Sequence, residues 1–160
     1  MDVYPEDDGP RPDPADLARD IVATNRYLTL ATADANGLPW SSPVFFATGA
    51  PGEFLWVSRP EAVHSRNIAV RPEVSLTIFD SSQRPGTGQG VYVAAVAAPA
   101  DPDRIADYSR GSLRWGVRPW SIDDVTGDAP FRLYLATARE VWVLDSVHDP
   151  RGDFRTAVTL

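Results

Sequence analysis

The spacing between strands is what most limits how this chain can fold. Seven runs rich in β-branched and aromatic residues read as strands: Tyr27 to Ala33, Trp40 to Ala47, Phe54 to Ser58, Val74 to Phe79, Val91 to Ala98, Phe131 to Ala138 and Glu140 to Asp145. Few of the segments between them are long enough for a parallel crossover, which needs about a dozen residues. The expected architecture is therefore mainly β, within the α+β class: an antiparallel barrel of six to seven strands with short peripheral helices. At 160 residues the chain is most economically one domain with a sizeable core. Residues 1–12 read as a mobile acidic tail, 13–146 as the domain and 147–160 as a polar C-terminal tail, ordered in part.

Local signals place the first elements. Asp13 ahead of Pro14 has the form of an N-cap followed by a first-position proline, with Asp16 adding negative charge in the first turn. Leu17, Ala18 and Ile21 then supply the apolar face of a short helix. Asp34-Ala35-Asn36-Gly37 is a turn in which Asn36 and Gly37 are expected to take positive φ, so the flanking strands form a hairpin. Pro43 within the returning strand marks an edge or a bulge, where backbone groups stay free for a ligand.

Phe54 to Asp80 carries the densest set of chemistry-bearing side chains. A strand ending in Ser58 leads through Arg59 and Pro60 into Glu61 to Val70, which reads as one helix with Pro60 at its first position; Pro72 ends it and a second strand follows. At ~100° per residue, Ala62, Val63, Ala69 and Val70 share one sector with Arg66 in its middle. An arginine so placed must snorkel or meet an anion. Ser58, Arg59, His64, Ser65 and Arg66 thus form a compact set of anion-binding groups beside the unpaired N–H groups of a helix start. The plainer alternative is an exposed connecting helix with ordinary surface charges.

Gly86-Thr87-Gly88-Gln89-Gly90 superficially matches a nucleotide-binding loop, but it runs into a strand, whereas the dinucleotide fingerprint runs into a helix. Asp101-Pro102 starts a third short helix, to about Arg110, and Ser121 can cap a single turn through Asp124. Arg114, Trp115, Arg118 and Trp120 crowd one loop, which can pack on its own core, on a second subunit or on a flat ring ligand; the first is the simplest reading. A formal net charge of -7 argues against nucleic-acid and anionic-membrane binding. With no cysteine there is no disulfide framework, thiolate zinc site or iron–sulfur cluster, and His64 and His148 are too few for a histidine-rich metal site. No secretion signal or membrane-crossing stretch is readable, so a cytoplasmic location is expected.

From about Leu28 to Leu144 the chain resembles the pyridoxamine 5′-phosphate oxidase-like family, the flavin-binding split barrels. The likeness is most specific over the unbroken stretch from Phe54-Leu55-Trp56-Val57-Ser58 through Arg66-Asn67 to Pro72-Glu73-Val74, supported by Gly37-Leu38-Pro39, by Pro43-Val44-Phe45-Phe46 and by Gly90-Val91-Tyr92-Val93. The resemblance implies a split barrel, a homodimer and an FMN at its interface. It puts the flavin ring against Ser42, Pro43, Val44, Phe45 and Phe46, and the phosphate near Ser58, which Val57 precedes. The family's basic pair falls on Val63 and His64, and its ring-side glutamine on Gly90, beside Gln89. Two positions depart from the family: Val63 is apolar, and Ser42 stands where the oxidase has an arginine. Arg59 and Arg66 are the neighbouring cations able to replace that charge. The C-terminal arginine and histidine motif that holds the vitamin substrate is not found, so oxidation of pyridoxamine phosphate itself is not expected.

The leading functional expectation is an FMN-dependent oxidoreductase acting on a small-molecule redox substrate, with no evident catalytic side chain and with Trp120 or Trp115 closing the pocket from the partner subunit. The alternatives are a deazaflavin in place of FMN, a non-enzymatic flavin or haem binder with His148 as a further ligand candidate, and a degenerate, empty site. The deazaflavin's longer acidic tail would call for more basic residues along a groove than the sequence offers.

Overall fold

The computed structural model describes residues 10–149 and 154–160. Positions 1–9 of the expected N-terminal tail and 150–153 of the C-terminal one lie outside them. The first helix, α1 (Pro14–Thr24), begins as expected, its Asp13 carboxylate accepting from the N–H groups of Ala15 and Asp16. It lays Ala18, Ile21 and Val22 on the core.

The hairpin β1 (Tyr27–Ala33) and β2 (Pro39–Phe45) follows, then β3 (Ala47–Thr48), β4 (Glu53–Ser58), α2 (Val63–Val70), β5 (Glu73–Phe79) and β6 (Gln89–Pro99). A 3₁₀ turn at Pro102–Arg104, capped by Asp101, leads into α3 (Ile105–Leu113), and β7 (Arg132–Asp145) and β8 (Arg155–Val158) complete the chain. All strand pairs are antiparallel, in the order β2-β1-β5-β6-β7-β4-β3 with β8 added to β7. β2 and β3 lie at opposite ends of that order, yet only Phe46 separates them in sequence. The sheet must therefore curl until its ends approach, and it does so as a split half-barrel. Its interior rows are apolar: Leu30, Leu76, Val93 and Val141 succeed one another across four strands, all buried.

Four expectations need correction. Only Gly37 takes positive φ in the first turn, at 86°; Asn36 does not, because the Asp34 carboxylate accepts from the Asn36 and Leu38 N–H groups and holds the turn itself. The two strands expected around Glu140 are one, β7, in which Arg139 is the extra residue of a bulge: Ala94 faces Glu140 and Ala95 faces Ala138. The segment read as a polar tail contributes β8. The middle helix starts at Val63 rather than near Pro60, because Arg59 to Ala62 forms a turn closed by the Ala62 N–H on the Arg59 carbonyl.

That later start rotates α2. Ser65, Asn67 and Ile68 face inward, while Val70, Ala69 and Arg66 are exposed. A buried bond from Asn67 Nδ2 to Thr32 Oγ1, 3.0 Å, holds the polar side against the sheet, a preference that apolar periodicity cannot register.

Candidate functional site

The two margins of the split are bridged by side chains, not by backbone. Among the described residues β2 pairs only with β1, and β4 only with β3 and β7. Between them the first turn of α2 inserts His64. Its Nε2 lies 2.7 Å from Ser58 Oγ at the end of β4, and its Nδ1 lies 3.2 Å from Ser42 Oγ on β2. Trp40 Nε1 donates to the same Ser42 Oγ at 3.1 Å. Burial pushes the His64 imidazole below the usual histidine value of 6.5, which favours the neutral ring.

The helix start beside this cluster has no side-chain cap. Ala62, the N-cap residue, offers no side-chain bond, and the first turn holds no acid. Ser65 Oγ, at the third helical position, is buried without a hydrogen-bond partner among the described residues. Leaving such a hydroxyl unpaired costs roughly 1–3 kcal/mol. The expected cations are present but engaged: the Arg59 guanidinium lies 5.0 Å above the Phe131 ring, and Arg66 Nη1 donates to the Glu61 carbonyl.

The remaining expected residues divide. Pro43 is exposed on β2, Val44 is turned into the main core, and Phe45 packs edge-on against Tyr27 and Tyr108 at 5.7 and 6.3 Å. Val57 lines a second apolar cluster with Leu55 and Leu133, and Val63 is half-buried at the helix start. Trp120 belongs to that second cluster, edge-on to Tyr108 at 5.9 Å and to Phe131 at 5.8 Å, so this loop packs on its own core. Gln89 is elsewhere. Gln89 pairs with Asp145 and Ser58 with Arg132, at opposite ends of β7, and the Gln89 amide donates to Asp145 Oδ1 at 2.9 Å.

Asp145 also meets His148, whose Nδ1 is 3.0 Å from both carboxylate oxygens. Burial raises the Asp145 carboxyl, but the bonds from Gln89 and His148 outweigh it and hold the group below the usual carboxylate range. Among the described residues no three acidic, histidine or cysteine side chains gather as a metal site, and no helix is long and apolar enough to cross a membrane. Two participants escaped sequence reasoning. Trp40 and Ser42 are two apart on a strand and so share a face, which was readable; Phe131 reaches Arg59 only through the pairing of β4 with β7.

Comparison with curated proteins found no match. Among solved structures, a heme binding protein from Mycobacterium smegmatis is 24% identical with a TM-score of 0.72, over 94% of this chain and 60% of that one. The heme storage protein HutZ of Vibrio cholerae is 23% identical with a TM-score of 0.63, over 78% of this chain and 90% of that one. An F420 reductase is 17% identical with a TM-score of 0.59, over 78% and 94%. At these identities the likeness is one of fold, and the chain spans 60% of the length of the Mycobacterium smegmatis protein. The family described as pyridoxamine 5′-phosphate oxidase matches residues 15–145, which takes in every element from α1 to β7. With that match over most of its length, on a split barrel whose margins meet at His64, the chain belongs to the pyridoxamine 5′-phosphate oxidase family.

Proposed function

We propose that the chain binds FMN between two copies of itself and serves as an FMN-dependent oxidoreductase for a small-molecule substrate. The observation that carries this reading is the open start of α2, where Ser58, His64 and the unpartnered buried hydroxyl of Ser65 stand beside an uncapped helix end. A terminal phosphate fits these groups: it accepts from hydroxyls and helix N–H groups, and it would satisfy Ser65 Oγ. The free edge of β2 from Ser42 to Phe45 offers backbone donors and acceptors to the polar rim of a flavin ring. When bound, the flavin supplies hydride and electron transfer, and the protein's part is to hold and orient it and to exclude water.

The outer face of the sheet supports the homodimer. Thr29 and Ala31 on β1, Ser75 and Thr77 on β5, and Ala94 on β6 form a patch of small uncharged side chains over three strands. A face of small uncharged side chains suits a self-complementary contact about a two-fold axis. Titration of the purified protein with FMN, followed by quenching of flavin fluorescence, tests the reading. Saturable binding is expected, weakened about tenfold or more by Ser58→Ala or His64→Ala, since each removes a bond to a charged group. Equal affinity in the wild type and both variants would remove the phosphate from this site.

One observation favours a second reading, haem in place of flavin. His148 Nδ1 is held on the Asp145 carboxylate, and a carboxylate paired with a histidine in this way is common at metal-binding histidines. Two of the structurally similar proteins carry haem in their names. A Soret band that His148→Ala abolishes would favour it over flavin.

A further inference from the structure

The cluster of Trp40, Ser42, His64 and Ser58 has a donor count that depends on one proton. Trp40 Nε1 can only donate, so Ser42 Oγ accepts from it. A neutral imidazole has one N–H and one lone pair, and both its nitrogens touch serine hydroxyls. One serine must therefore give its proton to the ring, and only the other keeps a hydroxyl proton to offer elsewhere. An imidazolium donates from both nitrogens. Both hydroxyls then accept from the ring, and both have protons free for a ligand. Gaining one proton changes a nearly self-satisfied bridge into two outward donors and a positive charge.

We infer that His64 is a conditional cation: occupation of this site by a phosphate monoester draws a proton from solvent onto its imidazole. The inference rests on the FMN reading and adds to it a dependence on pH that a permanent cation would not have.

The surroundings leave His64 as the group that answers. α2 packs on β1, β2 and β6, and these strands carry no charged residue; their only titratable groups are Tyr27 and Tyr92. On β4 the one acid, Glu53, lies at the far end and is tied to Arg104 at 2.6 Å. The flanking charges are Arg59, Glu61 and Arg66, with Arg132 opposite Ser58. Arg59 sits over Phe131, Arg66 bonds the Glu61 carbonyl, and Arg132 bonds the carbonyls of Gly127, Ala129 and Phe131. The bonds of His64 go to hydroxyls, and burial alone favours its neutral form until an anion arrives.

Calorimetric titration of the full chain with FMN and with riboflavin, in buffers of differing ionisation enthalpy near pH 7.5, counts the protons taken up. About one proton is expected with FMN and none with riboflavin, and the advantage of FMN should grow about tenfold per pH unit on lowering the pH from 8.5 to 7.5. His64→Asn should abolish the uptake; His64→Arg, a fixed cation, should retain the FMN advantage without it. FMN binding more tightly than riboflavin with no proton uptake overturns the inference and leaves the FMN reading standing. Uptake that persists in His64→Asn assigns the proton to the phosphate and also overturns it. Equal affinities for the two flavins, or no binding of either, overturn the FMN reading and the inference together. A wild-type titration without uptake overturns the inference by itself, and should His64→Asn not fold, His64→Gln makes the same assignment.

Discussion

His64 couples stability to acidity without any ligand. Its folded value lies below 6.5 because burial disfavours the charged ring, so in the window just under pH 6.5 the unfolded chain binds more protons than the folded one. This contribution is fully present above pH 6.5 and is lost as the pH falls from there toward the folded value. Urea unfolding at pH 7.5 and 5.5 should show a stability loss that is smaller in His64→Gln; an equal loss in both proteins would assign the acid sensitivity to other groups. Asn67 offers a pH-independent comparison. Its amide is buried and donates to Thr32, so Asn67→Ala should cost about 1–3 kcal/mol at either pH. Both residues stand in the stretch that the sequence marks as chemical, but their partners, Ser42 and Thr32, are 22 and 35 positions away. The sequence singled out His64 and Ser42 but not the Asn67–Thr32 pair, and only the hydrogen-bond geometry joined each residue to its partner.

At the scale of single elements, the helix caps were legible and the helix faces less so. Asp13 and Asp101 each precede a proline, and each accepts from the first-turn N–H groups. Asp13→Ala should lower stability by about 1 kcal/mol, measurable as a shifted urea midpoint with unchanged slope. Gly111 behaves differently. Within α3, replacing glycine by alanine ordinarily stabilises a helix by up to about 1 kcal/mol. A Cβ at Gly111 would stand 2.6 Å from Ala47 Cβ on β3, and neither atom ends a flexible side chain. Gly111→Ala should therefore destabilise, by about 1–3 kcal/mol, and a higher melting temperature would show that α3 can move off the sheet. The inward face of α2 was misjudged for a related reason: the turn at Arg59 to Ala62 delays the helix, and three residues of delay turn a different side to the core.

For the whole molecule, Phe46 joins the two ends of the sheet, so closure places β2 beside β4 and leaves α2 to bridge them. The same curling turns one face inward and leaves Thr77 on the outer face, between Thr29 and Tyr92. Thr77→Arg should convert the proposed dimer to a monomer, read by light scattering; a dimer that persists would exclude this face as the contact. The sequence alone determined that strands alternate, where α1 begins, where Gly37 turns the hairpin, and that few connections are long enough for parallel pairing. Those are local properties, decided by side-chain period, caps and backbone freedom within a few residues. Only the tertiary structure decided that β7 runs unbroken past Arg139, that residues 155–158 return to the sheet, and that His64 meets Ser42 and Ser58. Register and closure couple residues far apart in the chain, and no local pattern encodes which of several equally apolar strands becomes the neighbour.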